Sequence, residues 1–503
     1  MDFLPKRRAD FFARSLLILL LLQLSIGMDK AFAEALYQID ESEIISFQKQ
    51  QVTLHKIQWN KIPAFFESTH LIQFPIPEGA LLSAVQSKVY QEKNFEIWTG
   101  RILNDPYGHV VIARNLSNQD QVAIEIWSGG KSYSVVDTFA GPAMLENLSL
   151  LLPDLDIPRL DSEAQLTTAV TTKSNDQFID VLLAYTDAVV AFSPSAATLL
   201  VARMAEVNEM LEDSCARFRY RLVHIVQVTY AESGNFSTDL GCVYAWADGC
   251  LDNIHTLRDT YGADLFQLVL YQNNTCGLAH TNSLNSFNDV TAASVVGFLC
   301  GADTMAHEFA HNIGIYHDRY EGGFSADEEN STYGTGFGFV DLKNKQYTIM
   351  SYPNHCNSLG LSCTRIPQFS NPDLVVKGSH LGVRRRTDAV SQMNENFGYI
   401  ANFRSSLSSY DPGIGSSCIA NKSGEDIHCF IATAVTGSYM SHEVLVLRHF
   451  RDQVLLKSKL GRTFVEAYYQ YGPYWAYKIK NSKYWKSIVR FFIFIMVFLI
   501  EHT

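Results

Sequence analysis

The chain has 503 residues, a formal net charge of -12 at pH 7 and 47% hydrophobic residues. This length allows two or three domains whose cores fold without cross-links. The acidic balance argues against a nucleic-acid-binding protein, because such a protein needs a basic surface that displaces counterions from phosphates.

The first 33 residues have the pattern of an export signal. Basic residues at positions 6 to 8 precede an apolar run over residues 16–26, and Ala31 and Ala33 supply the small residues that a signal peptidase requires. The apolar run is shorter than the roughly 20 residues that span a bilayer, which favours cleavage over an uncleaved membrane helix. We therefore expect residues 1–33 to be a signal peptide and the mature protein to be exported.

The cysteines agree with export. All nine lie beyond residue 214, which predicts disulfide bonds in the middle of the chain. Because nine is an odd number, at least one thiol is free, modified or paired with another chain, and the sequence alone does not give the connectivity.

Residues 34–172 predict a β-rich domain. They contain no cysteine and show short runs that alternate apolar and polar residues, such as 122–127, separated by turn signals. A polar stretch over residues 161–177 follows, with little apolar periodicity. This stretch is a linker and a candidate processing site.

Residues 178–404 alternate predicted strands with predicted helices, which indicates an α/β domain with a largely parallel sheet. A second linker, rich in Ser, Gly and Pro, covers residues 405–417. The predicted elements of the α/β domain are, in chain order, a strand over 179–184, a helix after Ser193 and Pro194 with Leu200, Met204, Val207 and Leu211 on one face, a strand over 222–230, a helix over 243–257 and a strand over 265–271.

A zinc-binding pattern gives the strongest functional signal. On a helix, His307 and His311 lie one turn apart on the same face, within reach of one zinc ion. A continued helix would carry His317 about 15 Å along the axis from His307, so the helix must end. Gly314 stands where positive φ can turn the chain back. The spacing predicts that His307, His311 and His317 are the zinc ligands.

Glu308 is the candidate general base. It points away from the ligand face toward the open fourth position of the zinc, where it would take a proton from an activated water and pass it to the leaving amine. The alternatives are a helix with satisfied core histidines and a zinc site without catalysis. The length of the complete pattern makes a chance match rare.

The pattern, with Asp318 directly after His317, resembles the zinc motif of the metzincins and, among them, of the reprolysin or adamalysin branch. The similarity covers most of residues 178–404 and resembles a bacterial reprolysin-type zinc metallopeptidase. It implies a metzincin fold, in which a twisted, largely parallel sheet carries the active-site helix. It also implies a protein or peptide substrate.

A second segment of the same domain, residues 348–352, resembles the Met-turn that lies beneath the zinc in metzincins. The resemblance gives Met350 a supporting role. Tyr352 differs from the animal reprolysins and is similar to the astacin and serralysin arrangement, in which this tyrosine can approach the zinc. Ligation or transition-state stabilisation is one role for Tyr352, and packing alone is the other.

Peptidases of this kind bind an extended peptide along an edge strand, which here would include Gly277, Leu278 and Ala279. Calcium is a further candidate ligand, for which the sequence defines no site. The resemblance also suggests three disulfide pairs as hypotheses, namely Cys276 with Cys300, Cys356 with Cys363, and Cys242 with Cys250.

Residues 34–172 resemble the propeptide of such enzymes. Because they contain no cysteine, latency through a cysteine thiolate is excluded, and inhibition would use another ligand or steric cover. A permanent accessory domain is the alternative.

Residues 418–503 form a C-terminal region of different composition. The segment from Cys429 to Ile431 resembles the Cys-Phe-Ile box of exported bacterial proteins, which indicates sorting or surface attachment. The chain ends in an apolar run over residues 488–500 that follows basic residues, so we expect membrane or cell-envelope association. A packed pair of helices is the alternative.

Together these features predict an exported, zinc-dependent metalloendopeptidase. One alternative is a surface-attached binding protein that keeps a metzincin fold without cleaving, although such a protein has no use for Glu308. The other is a zinc amidase that acts on a non-protein substrate, which only substrate trials distinguish from a peptidase.

Overall fold

The computed structural model describes residues 35–47, 50–59, 71–103, 105–148, 177–271, 275–282, 287–324, 334–408, 446–447, 450, 479 and 483–501. The predicted signal peptide, nearly all of the linker over 161–177 and the Cys-Phe-Ile segment lie outside these residues.

The described residues between 35 and 148 form a nine-stranded sheet in which every pair of neighbouring strands is antiparallel. We call it the N-terminal sheet. Its strands are β1 (Tyr37–Phe47), β2 (Gln50–Trp59), β3 (Leu71–Pro75), β4 (Leu81–Glu92), β5 (Phe95–Ile102), β6 (His109–Asn115), β7 (Val122–Ser128), β8 (Lys131–Thr138) and β9 (Gly141–Glu146). Their order across the sheet is β1-β2-β9-β8-β7-β6-β5-β4-β3.

The central strands of the N-terminal sheet are buried on both faces. Successive side chains of a strand point to opposite faces, so each strand contributes to two cores. Trp98 and Ile124 belong to a core on one face of the sheet. Val111 and Ala123 face the other way and join the main core of the following domain.

The described residues from 177 to 408 form an α/β domain around a five-stranded sheet of order β11-β10-β12-β14-β13. Three of its four strand pairings are parallel, and the edge strand β13 is antiparallel to β14, in agreement with the predicted largely parallel sheet. Its strands are β10 (Phe178–Thr186), β11 (Arg219–Val228), β12 (Leu265–Leu270), β13 (Gly277–Ala279) and β14 (Ala293–Gly297).

Helices and short strands complete this domain. The helices are α1 (Asp187–Phe192), α2 (Ala196–Ser214), α3 (Phe236–Tyr244), α4 (Asn253–Tyr261), α5 (Ala302–Asn312), α6 (Asn354–Ser358) and α7 (Ala389–Ile400). The short strands are β15 (Val340–Asp341), β16 (Gln346–Tyr347), β17 (Thr364–Arg365), β18 (Asn371–Val376) and β19 (Ser379–Leu381).

The prediction of one helix over residues 243–257 is wrong. Helix α3 ends and helix α4 begins within this range, and the loop between them is closed by a disulfide bond from Cys242 to Cys250. Residues with positive φ cannot continue a right-handed helix, and the loop contains three of them. They are Ala247, Gly249 and Leu251.

Helix α2 is buried on nearly all sides, whereas the sequence predicted one apolar face. The reason is that the N-terminal sheet covers the side of α2 that would otherwise meet solvent, and the main core continues from the sheet through α2 into the α/β domain. The buried residues of α2 therefore include the charged side chains Arg203, Glu206, Glu209 and Asp213.

These charged residues are paired with residues of the N-terminal sheet. Arg203 Nε donates to Glu125 Oε1 at 2.9 Å, and its Nη1 donates to a backbone carbonyl at 2.7 Å. Glu206 Oε1 lies 2.8 Å from His109 Nε2. Burial raises the pKa of Glu125, an effect that the Arg203 guanidinium opposes. The two domains are thus joined by buried ion pairs as well as by apolar packing.

The C-terminal helix α8 (Lys483–Glu501) carries Ile493 and Val497, which pack with residues 446 and 447. This contact agrees with the helix-packing alternative for the C-terminal region. None of the helices among the described residues combines the length and the hydropathy that crossing a membrane requires.

Candidate metal centre

The candidate site begins on helix α5, which carries His307, Glu308 and His311 and ends at Asn312. Gly314 follows with φ +89, a left-handed conformation that favours glycine. A Cβ built on Gly314 would lie 2.9 Å from a backbone oxygen, so the position also lacks space for a larger residue. The helix therefore ends where the sequence required, and the chain turns back toward α5.

This turn brings His317 to the two histidines of the helix. The Nε2 atoms of His307, His311 and His317 lie 3.0 Å apart in each of the three pairs. All three side chains are buried. An equilateral triangle of this size leaves a point about 2.0 to 2.1 Å from every nitrogen, which is the zinc–nitrogen distance in proteins. Among the residues that the structure describes, the arrangement therefore fits a zinc ion held by three histidines.

The second ring nitrogens fix how two of these rings are oriented. His307 Nδ1 lies 3.0 Å from the carbonyl oxygen of Ile349, and His311 Nδ1 lies 2.8 Å from that of Ile315. Because a carbonyl only accepts, each Nδ1 carries the proton, and each Nε2 presents its lone pair to a metal. Burial, together with His311 and His317, lowers the pKa of His307 well below 6.5, which keeps this ring neutral.

Glu308 is 1% exposed and lies against the edge strand β13. A Cβ built on Gly277 would lie only 2.3 Å from Glu308 Oε1. Residue 277 must therefore be glycine for the carboxylate to occupy this position, so the edge strand and the candidate base are fitted to each other.

Asp318 connects the third histidine to the last residue of the predicted Met-turn segment. Its Oδ2 accepts from the backbone N–H of Tyr352 at 3.0 Å, and its Oδ1 accepts from that of Glu321 at 3.1 Å. Burial raises the pKa of Asp318. The ring of Tyr352 lies with its centroid 4.8 Å from that of His317, so this tyrosine stands beside the ligands.

Met350 is fully buried, and the carbonyl of the preceding residue, Ile349, faces His307. The turn that contains Met350 is closed by a hydrogen bond from the N–H of Ser351 to the carbonyl of Thr348 at 3.0 Å. The predicted Met-turn thus lies directly behind the first candidate ligand.

The predicted substrate-edge residues Gly277, Leu278 and Ala279 form β13, which pairs with β14 on one side and is the last strand of the described sheet on the other. The three suggested disulfide pairs are formed within the described residues, and one of them joins the residue before β13 to the loop before α5. The bonds are Cys276–Cys300, Cys356–Cys363 and Cys242–Cys250.

Two charged residues near His307 were missed from the sequence. Arg365 Nη1 donates to Asp303 Oδ2 at 2.9 Å, and both side chains are buried. Asp303 stands four residues before His307 on the same helix face, a spacing that could have singled it out. Arg365 lies far away in sequence, and no local signal marks it.

Known proteins resemble the chain in its central region. The family model for reprolysin-like metallopeptidases of family M12B matches residues 198–318. A peptidyl-Asp metalloendopeptidase of Xanthomonas campestris pv. campestris is 29% identical over 355 residues, which cover 65% of this chain and 80% of that protein. A peptidyl-Asp metalloendopeptidase of Stenotrophomonas maltophilia is 30% identical over 254 residues, which cover 49% of this chain and 58% of that protein.

Among solved structures, metalloproteinase-II from Bacteroides fragilis aligns with a TM-score of 0.33 and 12% sequence identity. The alignment covers 65% of this chain and 92% of that protein.

Proposed function

Because the chain is a reprolysin-like metalloendopeptidase, we propose that it hydrolyses internal peptide bonds with a zinc ion held by His307, His311 and His317. The observation that carries this proposal is the convergence of their three Nε2 atoms, 3.0 Å apart, beside the buried carboxylate of Glu308. Three neutral imidazoles are the protein ligands of one class of catalytic zinc site, and such sites keep the fourth position for water or substrate.

When bound by the three histidines, zinc would supply a Lewis acid for the scissile carbonyl and for a water molecule. Glu308 takes a proton from the water that attacks the carbonyl carbon and passes it to the amine nitrogen as the C–N bond breaks. The backbone of β13 pairs with the extended substrate, which holds the scissile bond beside Glu308. Gly277 supports this arrangement, because its missing side chain lets the substrate-binding strand approach the base.

Tyr352 has two proposed roles that lead to different expectations. Its ring lies next to that of His317, which supports the proposal that its hydroxyl stabilises the transition state or binds the zinc. Alternatively, the ring only packs against the histidines. Removing the hydroxyl lowers the turnover number in the first case and leaves it unchanged in the second.

We extend the proposal to the choice of substrate. The relatives from Xanthomonas and Stenotrophomonas are named peptidyl-Asp metalloendopeptidases, so we propose that this chain also cleaves beside aspartate. Matched peptides that differ only in Asp, Asn or Ala at one position test this preference. Equal cleavage of the three peptides would contradict it.

We also propose that the protein is exported behind a signal peptide over residues 1–33 and that residues 34–172 are a prodomain. The contact between the N-terminal sheet and α2 supports a prodomain that remains bound after the linker is cut, because its departure would expose the ion pairs and apolar face of α2. Size-exclusion chromatography after limited proteolysis of the linker tests this. Separate elution of the two parts would contradict it.

The test of the peptidase function compares the full-length wild type with Glu308→Ala. We expect both to bind about one zinc per chain, and we expect the variant to lose casein hydrolysis by about 10²- to 10⁴-fold, the usual contribution of a general base. Glu395→Ala, which removes an exposed carboxylate from α7, is the matched control and should cleave as the wild type does.

Two other outcomes would change the function. If the wild type binds zinc but cuts no protein either before or after the linker is cut, a binding protein or a zinc amidase with a non-protein substrate replaces the peptidase. If Glu308→Ala cuts casein at the wild-type rate, the proposed general base is wrong.

A further inference from the structure

A buried ion pair lies directly behind the candidate ligand His307. Arg365, on β17, donates from Nη1 to Asp303 Oδ2 at 2.9 Å, and the side chains are 5% and 0% exposed. Asp303 lies in the first turn of α5, one helical turn before His307. The pair therefore ties the strand that follows the Met-turn to the start of the helix that carries the ligands.

The same guanidinium also reaches the group that orients His307. Arg365 Nη2 donates to the carbonyl oxygen of Ile349 at 2.5 Å, and this oxygen lies 3.0 Å from His307 Nδ1. A carbonyl oxygen has two lone pairs, so it accepts from the guanidinium and from the imidazole together. Arg365 thus holds both the helix that carries His307 and the carbonyl that sets the direction of its ring.

Strand β17 is itself held from behind by the N-terminal sheet. A Cβ built on Gly130, in the turn between β7 and β8, would lie 3.4 Å from the carbonyl oxygen of Arg365 and closer still to the side chain of Thr364. Ile366, directly after β17, also packs in a buried apolar cluster that contains Trp127 of β7, so the backbone that carries Arg365 is packed against the N-terminal sheet.

From this geometry we propose that Arg365 is a positioning residue for zinc. It keeps the Nε2 atom of His307 directed at the point that it shares with His311 and His317, as groups beyond the direct ligands do in other zinc sites. The inference rests on the proposed function, because it assumes that the three histidines bind zinc. It adds a role for a residue that contacts neither the metal position nor the substrate edge.

A purely structural role is the competing explanation, since removing one partner of any buried ion pair leaves an uncompensated buried charge and destabilises the fold. The chain offers a matched control for it. Arg221 donates to Asp180 from Nε at 2.5 Å and from Nη2 at 3.1 Å, and both side chains are buried. That pair joins β10 to β11, at the end of the sheet opposite to β13.

The experiment uses the full-length chain and compares Arg365→Ala and Arg221→Ala with the wild type. Urea unfolding gives the stability of each protein, and competition with a chelator of known affinity gives the zinc affinity of the folded protein. We expect both variants to unfold at lower urea. We expect only Arg365→Ala to bind zinc more weakly, by about 10- to 100-fold.

Arg365→Lys keeps the test decisive if Arg365→Ala does not fold. Lysine preserves the positive charge beside Asp303, but a single ammonium group cannot replace the planar fork that contacts Asp303 and Ile349 at once. We therefore expect this variant to fold and still to bind zinc several-fold more weakly than the wild type.

The outcomes separate this inference from the peptidase function. If the wild type binds zinc and the Arg365 variants bind it equally well, the positioning role is wrong and the peptidase function stands. If Arg221→Ala weakens zinc binding as much as Arg365→Ala does, the effect comes from lost stability and the positioning role is again wrong. If the wild type binds no zinc, the proposed function itself fails.

Discussion

Helices α2 and α5 are both almost entirely buried, and both carry polar side chains into the interior, but they do so in different ways. On α2 the buried charges meet opposite charges, as Arg203 meets Glu125 across the domain boundary. On α5 the side chains His307 and His311 instead bring nitrogens of the same kind to one point, together with His317.

The difference shows what buried polarity does in each region. Opposite charges satisfy each other, so the α2 interface holds two domains together without a further component. Three imidazole lone pairs directed at one point repel one another until a cation lies between them, so the α5 cluster suits the metal ion that we propose for it. Variants on the two helices should therefore affect different properties.

The largest expected effect concerns stability at the α2 interface. Arg203→Ala would leave the carboxylate of Glu125 buried without its main partner, which should cost about 3 to 5 kcal/mol of unfolding free energy. Urea unfolding of the full-length protein measures this loss. Zinc affinity and activity per folded molecule should remain at the wild-type level, because Arg203 donates to Glu125 and to a backbone carbonyl and not to the three histidines or Glu308.

A control for Arg203→Ala is Arg384→Ala, which removes an exposed ion pair with Asp373. Exposed pairs contribute roughly 0 to 1 kcal/mol, so this variant should unfold close to the wild type. Equal losses in the two variants would contradict the view that the α2 interface holds the domains together.

The next effect depends on pH. Burial raises the pKa of Glu92 from 4.5 to about 7, and this residue lies at the end of β4, where Leu222 of β11 donates to it. A raised pKa means that the folded state favours the protonated form. The contribution of Glu92 to the free energy of unfolding is therefore complete below pH 4.5 and is lost as the pH rises through about 7.

Glu92→Gln should remove this dependence. Relative to the variant, the wild type should lose up to about 3 kcal/mol of unfolding free energy between pH 4.5 and pH 9, as the shift of about 2.5 pKa units implies. Urea unfolding at several pH values measures the difference. Parallel stability curves for the two proteins would show that Glu92 does not titrate as described.

On the α5 side, Gly277→Ala should reduce the turnover number by about 100-fold. The new methyl group would lie 2.3 Å from Glu308 Oε1 and force the carboxylate out of place, and a displaced catalytic group commonly costs this much. Zinc content should remain at the wild-type level. Gly241→Ala, on α3, is the control that should retain activity, because Gly241, like Gly277, has no positive φ and a Cβ there would have nothing within 4 Å. Wild-type activity of Gly277→Ala would contradict the fitted contact.

The smallest expected effect belongs to Tyr352→Phe, which removes one hydroxyl and leaves the ring beside His317. If the hydroxyl stabilises the transition state, the turnover number should fall about tenfold, or 1.4 kcal/mol, while the Michaelis constant stays the same. Steady-state kinetics on casein-derived peptides measures both. An unchanged turnover number would assign Tyr352 to packing.

The site and the interface differ in how far the sequence predicts them. His307, Glu308 and His311 lie on a single helix, and Gly314 marks its end, so the spacing along the chain already contains their geometry. The strand and helix alternation likewise indicated the α/β domain. The residue spacing on the helix and the strand and helix alternation are both patterns that are local in sequence.

Contacts between distant segments could not be predicted in this way. Glu125 and Arg203 belong to different domains, and each looks like an ordinary surface residue of a strand or a helix. The same holds for Arg365 and Asp303, which meet only because β17 passes behind α5. The single helix over 243–257 was wrong because three loop residues adopt positive φ, which the apolar periodicity does not reveal.

The zinc centre is tested by removing the metal from the full-length protein and titrating zinc back. We expect casein hydrolysis to disappear with the metal and to return in proportion to zinc until about one ion is bound per chain, and we expect His317→Ala, which lacks one ligand, not to regain it. Hydrolysis that persists without the metal, or full recovery in His317→Ala, would contradict the proposed zinc centre.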